Sequence, residues 1–216
     1  MEKHLEQSTE DNFFISAVNQ EIFNRIFPHI RHDLVGYLTT SLMRVSIMDR
    51  YLNKTELAPD QVKLDLKKIE LQLKDTILGI RELQFWDFDF AHEDHTSEIL
   101  KKSIQLMTSQ LAMKNIQLTV VPKEDLEDEL VKTKPLLYCL LCLFSYIEDN
   151  NFENKNLNLH LSAKSISITC ESIETQDSAA IKMNRNLIIN QDLAVRFAKL
   201  YLFGIDFQDK ITLTWK

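Results

Sequence analysis

With 216 residues, 44% of them hydrophobic and 26% charged, the chain has the make-up of a globular protein with one large domain or two small ones and a real core. Its 25 Lys and Arg against 32 Asp and Glu leave a formal charge of −7, which argues against non-specific nucleic-acid binding, because that binding needs many cations to displace counterions from phosphates. No apolar run approaches the roughly 20 residues that span a bilayer, and the polar opening MEKHLEQSTEDN lacks a leader's apolar stretch, so the expectation is a cytoplasmic protein with neither nucleic acid nor membrane as partner.

The first element carries an apolar stripe through Phe23, Ile26, Ile30, Leu34, Leu38, Leu42, Val45, Met48 and Leu52. Spacings of three and four predict a long helix with that stripe inward. Pro28 lies inside it, removes a backbone donor and predicts a kink just before His29 to His32. NKTELAPD then supplies turn residues and a proline near the next helix start. The second helix, over about Asp60 to Phe85, carries two seams. One runs Val62, Leu66, Ile69, Leu73, Thr76, Ile80, Leu83; the other is Leu64, Leu71 and Leu78. A helix apolar on two faces needs cover on two sides, and a lone hairpin covers one. Two hairpins packed as a four-helix bundle solve the problem, which predicts a homodimer.

WDFDFAHEDHTSE, aromatic, acidic and without helical period, reads as a connector. Beyond it the pattern predicts a helix (about Ser97 to Met113), a strand (Ile116 to Val121), an acidic loop and a buried helix (about Lys134 to Glu148). LNLHLSA and SISITCE alternate with period two about a short turn; a helix over about Gln191 to Phe203 follows, and GIDFQ and KITLTWK close the chain as a hairpin. Helices interleaved with mostly antiparallel strands predict a two-layer α/β sandwich. The expected fold class is therefore α+β, with a helical hairpin over residues 1–88 forming a dimeric four-helix bundle and a sandwich over 89–216.

Cys139, Cys142 and Cys170 are odd in number and do not form a disulfide framework. The C-x-x-C of the first two sits inside the apolar run LLYCLLCLF, where both read as small apolar residues of a buried helix, and no second Cys or His pair completes a zinc site. Only three glycines occur, Gly36, Gly79 and Gly204, no two of them close, which excludes a phosphate-cradling glycine loop. His92 and His95, with Asp87, Asp89, Glu93, Asp94 and Glu98, are either a divalent-metal cluster or a solvated acidic connector, and the connector is the simpler reading. Phe85, Trp86, Phe88 and Phe90 read as packing between the two parts rather than a ligand site.

His32 carries the functional reading. At 100° per residue it falls about 160° from Leu34, nearly opposite the buried stripe. Arg25, His29, His32, Gly36, Thr39 and Met43 then form an outward column, with Arg50 facing the same way. A mid-helix glycine one turn past a histidine opens a gap through which another protein can reach the imidazole, at a cost of about 1 kcal/mol in helix stability. Asp33 is placed to orient the ring or accept its second proton. A solvated surface histidine is the plainer alternative.

His32-Asp33-Leu34-Val35-Gly36-Tyr37-Leu38 resembles the H-box of two-component sensor histidine kinases, H-[DE]-L-x-[NTG]-x-L, and sits where that family places it, on the first helix of a dimerising hairpin. EILKKSIQLMTSQLAMKNIQLTVV resembles the opening helix and strand of the kinase ATP-binding domain, KPLLYCLLCLFSYIEDN its N-box helix, and DLAVRFAKLYLFGIDF its last helix and strand. The departures matter more. Cys142 and Tyr146 stand where the N-box has asparagines, CESIETQDS holds no glycine where D-x-G-x-G binds adenine, and NLIINQD replaces the glycine-rich lid. With all three nucleotide boxes gone, the resemblance implies a degenerate sandwich without ATP-dependent kinase activity and without a cofactor or metal of its own. Tyr37 stands where proline is common, and Gly36 where an Asn or Thr positions water, which tells against phosphatase chemistry.

A kinase-shaped dimer that keeps the histidine resembles the dimeric histidine phosphotransferases of phosphorelays. The implied catalytic residues are His32 and Asp33, and the implied partner-binding residues Arg25, His29, Gly36, Thr39 and Met43. The implied partners are response-regulator receiver domains, which supply the metal ion and acidic cluster, and a sensor histidine kinase. The alternative is a non-catalytic pseudokinase that binds and inhibits or scaffolds a kinase or regulator through the same bundle.

Overall fold

The computed structural model describes residues 9–52, 59–83, 91–122, 128–150, 155–170, 188–208 and 210–215. In chain order they form α1 (Thr9–Leu52), α2 (Pro59–Leu83), β1 (Glu93–His95), α3 (Thr96–Ala112), β2 (Gln117–Val121), β3 (Leu130–Lys132), α4 (Thr133–Asp149), β4 (Asn156–Ser162), β5 (Ser165–Cys170), α5 (Gln191–Leu200), β6 (Gly204–Phe207) and β7 (Ile211–Thr214). They gather into two compact units. One is Phe27–Phe88; the other joins Met1–Ile26 to Asp89–Lys216.

This differs from the expected division into 1–88 and 89–216. The structure starts α1 at Thr9, well before the stripe that begins at Phe23, and continues it unbroken past Pro28 to Leu52. Val18, Ile22 and Ile26 extend the apolar spacing backwards by fours, and all three are fully buried in the sandwich unit. The start of α1 thus belongs to the sandwich because burying this row is worth more than leaving it in water. Asn19 donates to the Tyr201 hydroxyl at 3.3 Å, and the Arg196 guanidinium lies 4.3 Å from the Phe14 ring centroid.

The main sheet has the order β2-β4-β5-β7-β6. β2 and β4 run parallel, and α4 lies between them in sequence as the crossover that parallel strands need; the remaining neighbours are antiparallel. Register places Leu159 beside Ile168 and Ile168 beside Ile211, so one face is apolar, while Asn158, His160, Thr169 and Thr212 fall on the other. The helix layer is α3, α4 and α5, with α4 packed against both others. From Leu136 to Phe144 every side chain of α4 is buried, which is why its sequence is apolar on all sides.

The connector hides one feature that periodicity did not reveal. Glu93–His95 forms β1, antiparallel to β3, in a separate two-stranded sheet. The helix after β1 ends in a Schellman turn: Asn115 takes φ 55°, Asn115 N–H donates to the Ala112 carbonyl and Ile116 N–H to the Leu111 carbonyl. Asparagine tolerates this left-handed conformation better than most residues, so it stops the helix and launches β2.

Cys139 and Cys142 are buried free thiols. Burial pushes both up, Cys139 well above the usual thiol range, and Cys142 to about 12 against a smaller opposing effect of the Arg25 charge. They are apolar packing, not nucleophiles. Phe85, Trp86, Phe88 and Phe90 lie outside the described residues.

Candidate functional site on the first helix of the hairpin

In the Phe27–Phe88 unit α1 and α2 run antiparallel. Ser41 Oγ donates to Gln72 Oε1 at 3.1 Å, Arg44 pairs with Asp65 at 3.3 Å, and Leu34 lies against Gly79. The seam between the helices is notably polar: Ser41, Asp65 and Thr76 are buried there. Much of the apolar sequence is left outside, with Leu38, Leu42 and Val45 exposed on α1 and Leu66, Leu73 and Ile80 exposed on α2. The stripe expected to face inward is therefore only partly covered by this chain. Leu64, Leu71 and Leu78, the second seam of α2, are exposed as well.

His32 stands out from α1 with its side chain 86% exposed. Its Nδ1 lies 3.2 Å from Asp33 Oδ1. A carboxylate only accepts, so that contact assigns the ring proton to Nδ1 and leaves the Nε2 lone pair free for a nucleophilic role. Among the described residues no partner of Nε2 is found.

An open depression of about 430 Å³ lies beside the ring, lined by Pro28, Arg31, His32, Val35, Gly36, Thr39 and Thr40. It exists because the residues one turn either side of His32 are small: Pro28 and Gly36. A Cβ added to Gly36 would meet nothing within 4 Å among the described residues, so none of their packing calls for glycine there. Thr40 turns its hydroxyl back onto the Gly36 carbonyl at 2.8 Å. Thr39 and Met43 are exposed one and two turns on, and His29 is half-buried. Arg31, Val35 and Thr40 were not singled out from sequence, and Pro28 only as a kink; three- and four-residue spacing around His32 reaches Val35 and Pro28 but not the other two.

Arg25 overturns its expectation. Seven residues before His32 it shares the helix face, yet its side chain is only 4% exposed. It lies in the sandwich unit, where its guanidinium meets Glu21 at 3.0 Å, Asp149 at 2.9 Å and Glu148 at 3.6 Å. Three buried carboxylates at the end of α4 and on α1 need a cation, and Arg25 supplies it. Asp149 also accepts from the Ile189 backbone N–H, and Gln110 donates to Glu148, so the cluster ties α1, α3, α4 and the approach to α5 together. Arg25 is thus part of the core and is withdrawn from the partner-binding column; Arg50 stays exposed.

The candidate metal cluster is dispersed into local pairs. His92 Nε2 lies 3.6 Å from Asp94, and His95 Nδ1 3.8 Å from Asp128, while Asp94 is held by Lys102 at 2.8 Å. Asp87 and Asp89 lie outside the described residues, and among the described residues no three acidic, His or Cys groups converge as a metal site. No helix among them is long and apolar enough to cross a membrane.

No protein-family model and no curated protein matches the sequence. Among solved structures the chain is similar to a bacterial phosphotransferase, at 11% identity and a TM-score of 0.43, covering 97% of this chain and 97% of that one. It is similar to the cytoplasmic segment of the histidine kinase QseC, at 13% identity and a TM-score of 0.41, covering 66% of this chain and 93% of that one. The histidine kinase ThkA, in a structure of its complex with the response regulator protein TrrA, is 14% identical with a TM-score of 0.36, covering 90% of this chain and 61% of that one.

Proposed function

We propose that this chain is a histidine phosphotransfer protein that relays a phosphoryl group between receiver-domain aspartates through His32, acting as a homodimer. The observation that carries the reading is an exposed imidazole whose Nδ1 is engaged by Asp33, beside a depression whose glycine serves no packing need of the described residues. Nε2 attacks the phosphorus of a receiver's aspartyl phosphate; the P–N bond forms as the P–O bond to the aspartate breaks, and the receiver's carboxylate leaves. Asp33 holds the Nδ1 proton and offsets the imidazolium charge while the phosphoryl group waits. Attack by a second receiver's carboxylate reverses the step. Gly36, Thr39 and Met43, with the half-buried His29, form the surface offered to the receiver. The exposed apolar strips of both helices are the surface a second hairpin covers.

The test mixes the full-length protein with radiolabelled, phosphorylated receiver domains, beside His32→Ala and an ATP-only control. The expected result is acid-labile label on the wild type and none on His32→Ala or with ATP alone. If no receiver donates label while a receiver or sensor kinase still binds the hairpin, the relay falls and the non-catalytic scaffold or inhibitor replaces it.

A further inference from the structure

The two glycines of the hairpin differ in kind. Gly36 looks onto open space, whereas a Cβ added to Gly79 would come within 2.8 Å of Leu34 Cδ2 and 3.5 Å of Leu34 Cγ. Gly79 sits inside α2, where glycine is among the worst helix formers, so its presence there calls for a compensating role. That role is a notch: the Leu34 side chain occupies the space that a Cβ on Gly79 would need. Leu34 is two residues from His32 and about 160° around α1, so the depth to which it seats sets both the height and the rotation of the turn that presents the imidazole. Further along, the helices are held by polar side chains, Ser41 to Gln72 and Arg44 to Asp65. Both of those contacts lie on one side of the His32 turn. The Leu34 contact with Gly79 lies closer along α1 to the His32 turn than either of them.

We infer that Gly79 is a positioning residue for His32: by seating Leu34 it sets the orientation of the imidazole and of its contact with Asp33. This rests on the phosphotransfer reading for its kinetic consequence, and stands apart from it in its spectroscopic one. The experiment uses the full chain as wild type, Gly79→Ala, Gly79→Leu, Leu34→Ala, and the double variant Gly79→Leu with Leu34→Ala, which moves the knob to α2 and the notch to α1. Two readouts are taken: the rate at which phosphorylated receiver labels His32, and the ring ¹⁵N shifts of His32, which report the tautomer and the Asp33 contact.

Gly79→Leu is expected to slow labelling by about tenfold, the scale on which sub-ångström misplacement of a reacting group acts, and to shift the ring resonances. The double variant is expected to restore both, and Gly79→Ala to move both in the same direction by less, because the Leu34 methyl can swing aside. Wild-type rate and unshifted resonances in folded Gly79→Leu overturn the inference. If Gly79→Leu does not fold, Gly79→Ala decides by the same two readouts. Should wild type itself take no label, the relay reading fails, and the ring shifts alone decide whether Gly79 positions His32: movement with rescue upholds it, and no movement overturns it.

Discussion

The sandwich and the hairpin solve the burial problem in opposite ways. In the sandwich the apolar side chains of α4 are all covered, and the charges that enter the interior, Glu21, Glu148 and Asp149, meet Arg25 there. In the hairpin the covered seam holds Ser41, Asp65 and Thr76, while leucines and isoleucines of both helices stand in solvent. Contiguous exposed apolar surface of this kind commonly marks a face that another surface covers. The sandwich is a finished core within one chain; the hairpin leaves much of its apolar surface uncovered.

That contrast is broken most severely at Arg25. Replacing it with methionine removes the guanidinium that Glu21, Glu148 and Asp149 meet, and the expected loss is about 3–5 kcal/mol of sandwich stability, read as a lowered urea midpoint. A loss below about 1 kcal/mol would mean that the cluster behaves like a surface pair. Next comes the hairpin. Leu38→Glu with Leu73→Glu places charge on surfaces that the proposed dimer would bury, each leucine then contributing about 1.5–3 kcal/mol. Sedimentation is expected to show monomers, with the far-ultraviolet dichroism of the sandwich retained; an unchanged dimer would show that these strips face solvent.

The alkaline limb sharpens the comparison from the sandwich side. Burial raises Cys142 from 9.0 and Tyr138 from 10.0, each to about 12. In the unfolded chain these groups ionise first, so the unfolded state is the one that gains from rising pH. The contribution is complete below the unfolded values and is lost as pH climbs from about 9 toward about 12. Equilibrium denaturation at a series of pH values is expected to show the sandwich weakening across that window. The smallest effect is Gly36→Ala: the added methyl meets nothing among the described residues, so the hairpin is expected to gain about 1 kcal/mol, seen as a higher melting temperature, while the proposed receiver contact would lose its gap.

Long-range order was readable where the pattern was strong. The α4 run, the β4–β5 and β6–β7 hairpins and α2 follow from periodicity within a few residues. The early start of α1 was missed because Val18 and Ile22 are too few apolar positions to reveal a partner; their burial depends on a sandwich built from residues far along the chain. β1 escaped because three residues of EDH carry no strand signal, and their pairing with β3 is a tertiary event. At the site, the exposure of His32 and Gly36 followed from helical angle alone. Arg25 did not: on the same face by angle, it is buried because α4 places two acids there, which no local pattern encodes.

The paired thiols of α4 give the sandwich an internal clock. Held neutral and sealed from solvent, Cys139 and Cys142 react with an alkylating reagent only when the helix layer comes apart. In a Cys170→Ser background, the rate of their modification counts openings of one region while being blind to the other. A receiver docking on the hairpin, or a partner hairpin closing over it, would leave that count unchanged unless the long helix shared by both units carries the event into the sandwich.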